Sequence, residues 1–151
     1  MLFNTHLLFG LFFFMLLKDF FSGGNEVIFL LLVLLGSILP DLDSGESKIN
    51  RWSGFLGIIL GYFLKHRGIL HSVFFVIISF VVMDFFLGNY YAFGLLIGVM
   101  AHLSSDALTP GGIKFFYPLS KMRIRGPIKV GGIGEWLVFI GLIILIVKEF
   151  L

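Results

Sequence analysis

Residues 66–112 read HRGILHSVFFVIISFVVMDFFLGNYYAFGLLIGVMAHLSSDALTPGG. Two apolar runs, 69–87 and 90–108, are separated only by Gly88-Asn89, a pair suited to a tight turn, and Pro110-Gly111-Gly112 stops the second. At about 1.5 Å per helical residue each run reaches nearly across a hydrocarbon core of about 30 Å. The stretch reads as a transmembrane helical hairpin. Its polar residues sit at the two open ends: His66, Arg67 and His71 before the first run, His102 and Asp106 near the end of the second. A hairpin brings those ends to one side.

The whole chain shares this bias. Of its 151 residues 58% are apolar and only 13% charged, with 20 phenylalanines, and its mean hydropathy is +1.05. Soluble domains sit nearer about 45–50% apolar and about 25% charged, so this chain lacks the polar atoms to cover a water-facing surface. Three further spans are expected at 2–21, 27–39 and 135–150. The first is read as a retained span, because it has no basic leading region and no A-x-A cleavage site and carries His6 within the apolar run. The apolar run 52–64 is short for a crossing and suits a re-entrant or interfacial helix. Gly57-x-x-x-Gly61 and Gly94-x-x-x-Gly98 allow close helix contact, or simply reflect a glycine-rich chain.

Charge placement sets the orientation. With 52–64 not crossing, Lys48, Arg51, Lys65, Arg67, Lys114, Lys121, Arg123, Arg125 and Lys129 all share a side with the N-terminus, leaving Lys18 and Lys148 of the 11 basic residues on the other. The positive-inside rule puts that side in the cytoplasm. The expected fold is all-α: one domain over 1–151, a multi-pass bundle of about five transmembrane helices in the cell (inner) membrane, with a cytoplasmic N-terminus. The bilayer is the expected partner, and nucleic acid is not.

The same topology gathers all four histidines and several acids at one membrane face. His6 lies one turn into the first span, Asp41 and Asp43 follow the second, His66 and His71 precede the third, His102 and Asp106 end the fourth, and Glu135 begins the fifth. Ionisable groups at membrane depth are expensive and are usually paired or functional. Neutral imidazoles and carboxylates together suit a divalent cation, zinc by preference, as one ion or two. His102 and Asp106 are four residues apart and share a helix face. The absence of cysteine removes thiolate ligands and nucleophiles. Metal ligands are expected among His6, Asp41, His66, His71, His102 and Asp106. Asp43 and Glu135 are expected as further ligands, supporting groups or general base, and Arg67 or the Arg123/Arg125 pair as neutralisers of developing charge. The bland readings are an interfacial histidine that merely snorkels, a Pro-Asp-x-Asp helix stop, and basic residues that only touch lipid headgroups.

Four ordered motifs carry a resemblance: Thr5-His6-Leu7-Leu8-Phe9, Leu39-Pro40-Asp41-Leu42-Asp43, His66-Arg67-Gly68-Ile69-Leu70-His71-Ser72, and His102-Leu103-x-x-Asp106-x-Leu108-Thr109-Pro110-x-Gly112. Together they resemble the YdjM-like family, described as inner-membrane, metal-dependent hydrolases, some binding the LexA repressor. This chain lacks the polar tail of the longer members. The resemblance implies a membrane fold, a metal site and hydrolysis. A catalytic site at the cytoplasmic headgroup layer points to a phospholipid or other amphiphilic (phospho)ester substrate. The alternative is a non-catalytic metal-binding membrane protein, either a carrier or a partner-binding anchor.

Overall fold

A computed structural model describes residues 1–44, 47–54 and 68–149. Its order is α1 (Phe3–Leu17), a 3-10 turn (Lys18–Phe20), α2 (Glu26–Gly36), a 3-10 turn (Leu39–Asp43), α3 (Lys48–Trp52), a 3-10 turn (Ile69–His71), α4 (Val73–Leu87), α5 (Asn89–Ala107) and α6 (Ile133–Glu149). Among the described residues there is no strand, only an isolated bridge between Ile113 and Ile124. The architecture is all-helical, as expected.

Local chemistry sets the helix ends. Asn25 caps α2 by accepting from the N–H groups of Val27 and Ile28, and Ser47 caps α3 by accepting from Asn50 N–H. Gly88, at φ +88°, makes the turn between α4 and α5 in a region that side chains with a Cβ rarely adopt. The helix of the third apolar segment begins at Val73, later than 69, because Ser72 is extended at φ −126°, ψ 163°. The second helix ends at Gly36, because Leu39–Asp43 tightens into a 3-10 turn around Pro40.

α5 is the central helix, packing against α1, α2 and α4, while α1 also packs against α2 and α6. Its meeting with α2 depends on small residues. A Cβ on Gly98 would collide with the Val33 carbonyl oxygen, and one on Gly94 would lie 3.1 Å from Phe29 O. The Gly94-x-x-x-Gly98 pair is therefore a real contact surface. Gly57-x-x-x-Gly61 and most of the 52–64 segment lie outside the described residues, as do His66 and Arg67.

Phe3–Phe20, with mean hydropathy 1.2 over 18 residues, is long and apolar enough to cross a membrane, and Val73–Leu87 is a shorter apolar helix. α5 is long enough but carries His102, Ser104, Ser105 and Asp106 in its last turns, which lowers its apolarity.

Candidate metal centre

The donors arrive on four elements. His6 is on the first turns of α1, Asp41 and Asp43 on the turn after α2, His71 on the turn before α4, and His102 and Asp106 on the last turns of α5. His6, His71 and His102 are fully buried, and Asp106 and Asp43 nearly so. The Asp41 side chain is 17% exposed, so it faces the open side.

The polar contacts around the rings set their tautomers. His102 Nδ1 lies 2.8 Å from Ser37 O, a carbonyl that can only accept, so Nδ1 carries the proton. The Ser105 hydroxyl donates to His102 O at 2.7 Å and so accepts from His6 Nδ1 at 2.7 Å. Asp43 Oδ2 lies 3.3 Å from His71 Nδ1 and favours a proton on that nitrogen. In all three rings Nε2 is left with its lone pair.

Those lone pairs converge. His71 Nε2 and His102 Nε2 are 3.2 Å apart, and His6 stacks on His102 with centroids 4.0 Å apart and planes at 11°. His6 Nε2 is buried without a hydrogen-bond partner. It lies 3.6 Å from Asp106 Oδ1 and 3.9 Å from Asp41 Oδ2. Asp106 Oδ2 is 3.7 Å from His71 Nε2, and Asp41 Oδ1 is 3.9 Å from His102 Nε2. Two donor sets result, His6/Asp41/His102 and His71/His102/Asp106, each with ligand atoms within 4.8 Å of one another.

This arrangement fits a divalent cation. Facing acceptor lone pairs repel one another, and a buried imidazole nitrogen with no partner is costly. Donors of a tetrahedral zinc with bonds of about 2.0–2.1 Å stand about 3.3 Å apart, comparable with the separations here. Because both sets share His102 Nε2, the geometry suits one ion better than two. The Met1 ammonium bonds Asp106 Oδ1 at 2.6 Å and so places positive charge at the edge of the same cluster.

Of the residues expected from sequence, the fold brings together His6, Asp41, His71, His102 and Asp106. Asp43 stands behind His71, at Nδ1 and away from the converging Nε2 atoms. Glu135 is not brought into the group: its Oε1 accepts from Leu2 N–H at 2.6 Å and its Oε2 from Gly131 N–H at 2.7 Å. It buckles the start of α1 to the start of α6. Glu135→Gln should therefore keep its metal while losing about 1–2 kcal/mol of stability, read as unchanged metal content beside a lowered thermal midpoint.

Sequence reasoning missed several supports. Ser37 acts through its carbonyl, which no side-chain pattern reveals. Ser105, three residues after His102, could have been found from helical spacing. The Asp41-Leu42-Asp43 turn is fastened by α3 and its cap, where Ser47 Oγ donates to Asp41 O at 2.6 Å and Asn50 Nδ2 to Leu42 O at 2.7 Å.

Known proteins can be set beside this geometry. The profile of the family described as YdjM inner membrane protein matches residues 1–150. The uncharacterized protein YvsG of Bacillus subtilis is 35% identical over 111 residues, covering 72% of this chain and 69% of that protein. The inner membrane protein YdjM of Escherichia coli is 29% identical over 103 residues, covering 64% of this chain and 52% of that one. An uncharacterized protein, ORF4, of Methanothermobacter thermautotrophicus is 39% identical over 61 residues, covering 40% of this chain and 25% of its own length. This chain thus spans about two-thirds, half and a quarter of these relatives. No solved structure matches it. A family profile matched along nearly the whole sequence makes this chain a member of the YdjM inner membrane protein family.

Proposed function

We propose that this protein crosses the inner membrane several times, with its N-terminus in the cytoplasm, and acts as a metal-dependent hydrolase at the cytoplasmic headgroup layer. Its substrate class is a phospholipid or other amphiphilic ester. The observation that carries the reading is the convergence of three Nε2 lone pairs and two carboxylates in a largely buried cluster.

The outward faces support multiple crossings. α4 exposes Ile77, Ile78, Val81, Val82, Phe85 and Phe86, with Phe85 at 83%, and α6 exposes Leu137 at 66% and Ile144 at 61%. In water such faces would be a large unfavourable apolar surface, whereas acyl chains cover them. The basic residues on the polar-site end set the orientation.

His6, His71, His102, Asp41 and Asp106 would hold the ion, with zinc the first choice for the nitrogen-rich set. When bound, a divalent cation supplies Lewis acidity, lowering the pKa of a water and offsetting negative charge on an acyl or phosphoryl oxygen. The protein's own residues do the rest. Ser37, Ser105 and Asp43 hold the three rings in the tautomer that aims Nε2 inward. Asp41 is the donor closest to the surface, so an ester group arriving from the headgroup layer meets the site there. Arg67 remains our candidate for neutralising charge on that ester.

A second reading has one observation in its favour: the donors other than Asp41 are closed off from solvent, as in structural metal sites, which keep no open position. The protein would then bind metal without catalysis. Reconstituted protein, assayed against acyl and phosphoester lipids, should show turnover that a chelator abolishes and added metal restores. Stoichiometric metal without turnover on any of them would favour the second reading.

A further inference from the structure

The segment joining α5 to α6 has a fixed shape. Ile113 and Ile124 exchange two backbone hydrogen bonds of 2.9 Å, while Gly126 N–H donates to Thr109 O and Ile128 N–H to Leu108 O at 3.1 and 3.0 Å. The segment is thereby folded back onto the end of α5 that carries Asp106. Residues 107–134 contain Lys114, Lys121, Arg123, Arg125 and Lys129 and no Asp or Glu. Lys121, Arg123, Arg125 and Lys129 are exposed, and no carboxylate among the described residues pairs with them. Arg123 spends one donor on Gly111 O at 3.2 Å. Between these cations stand Leu119, 82% exposed, and Met122, 62% exposed.

Like charges held on a fixed loop repel one another and favour an anionic partner. A free phosphate would meet the cations but leave Leu119 and Met122 in water. A lipid with a negative headgroup meets both, since its acyl layer takes the apolar side chains. We infer that this segment is a docking surface for anionic phospholipids, which it concentrates at the end of α5 that carries Asp106. The inference rests on the proposed position of this end of the protein at the headgroup layer.

Trp136 opens α6 directly after the basic segment and is 57% exposed. With Trp52→Phe it is the sole tryptophan of the chain's two, and it can report on neighbouring lipid. The protein is reconstituted in phosphatidylcholine/phosphatidylglycerol vesicles, with bromine on the acyl chains of one lipid or the other at equal mole fraction. Quenching by the brominated phosphatidylglycerol should exceed that by the phosphatidylcholine about threefold. The ratio should fall to about one in K121Q/R123Q/R125Q/K129Q. On the unaltered loop it should also fall in about 1 M salt, where the Debye length is about 3 Å. A ratio near one at low salt, or a raised ratio that survives both the substitutions and the salt, overturns the inference while leaving the headgroup-level position standing. Absence of quenching by either lipid overturns that position and the inference with it.

Discussion

His102→Ala should yield a folded protein that has lost its metal, with Kd for zinc raised by more than about 100-fold in competition with a chelator. That figure is the upper end for losing a group that merely supports a ligand, and His102 stands nearer the ion than any supporting group. Its Nε2 belongs to both donor sets, so no complete group of three remains without it. The substitution also strips Ser37 O of its donor, a loss of about 1–3 kcal/mol against a typical stability of about 5–15 kcal/mol. Folding should survive, as judged by helical circular dichroism and a monodisperse elution profile. His71→Ala leaves the Ser37 contact and the His6/Asp41/His102 set intact and should weaken metal binding by about 100-fold, which separates ligand loss from local damage. Asp43→Asn should fall between, at about 10–100-fold weaker binding, because that carboxylate acts through the His71 ring.

Removing the ion from the unaltered protein should have the next largest effect. A ligand present at about 1,000 times its Kd stabilises the state that binds it by about 4 kcal/mol. For a chain of this size that corresponds to a drop of about 10 °C in Tm on adding chelator. The direction follows from what stays behind: two carboxylates and three inward-facing imidazoles, all but Asp41 closed off from water. Added zinc should restore the midpoint. In His102→Ala the chelator should shift nothing, because there is no bound ion to remove. Differential scanning fluorimetry in detergent reads all four conditions. Acid should mimic the chelator, since protons compete for the same nitrogens.

The helices and the donors were legible in the sequence to different depths. The apolar runs marked α1, α2, α4, α5 and α6, because a chain with so few charges has nowhere else to place its polar breaks. Their lengths were overread at 27–39 and 69–87, where Pro40 and the extended Ser72 convert helix ends into 3-10 turns. Those turns matter for the chemistry: they let Asp41 and His71 point back into the bundle, which a continued helix would not. The set His6, Asp41, His71, His102 and Asp106 could be read from the pairing of basic-residue asymmetry with histidine position. Glu135 has the same charge and the same membrane depth as the donors, so nothing in the sequence separates it from them. Only its two backbone N–H partners reveal a bracket between helices. The Ser37 carbonyl is a main-chain group, and residue identity carries no trace of its role. The short helix Lys48–Trp52 was not read from the sequence, where Lys48 and Arg51 counted only as basic residues, although its Asn50 fastens the turn between the two aspartates.

X-ray absorption at the edge of the co-purified metal tests the central claim most directly. The account predicts one ion per chain in a shell of nitrogen and oxygen only, with the outer-shell scattering of about three imidazoles, reduced by one in His71→Ala. An ion whose spectrum shows no imidazole scattering, or protein that holds no stoichiometric metal when purified without chelator, would contradict it.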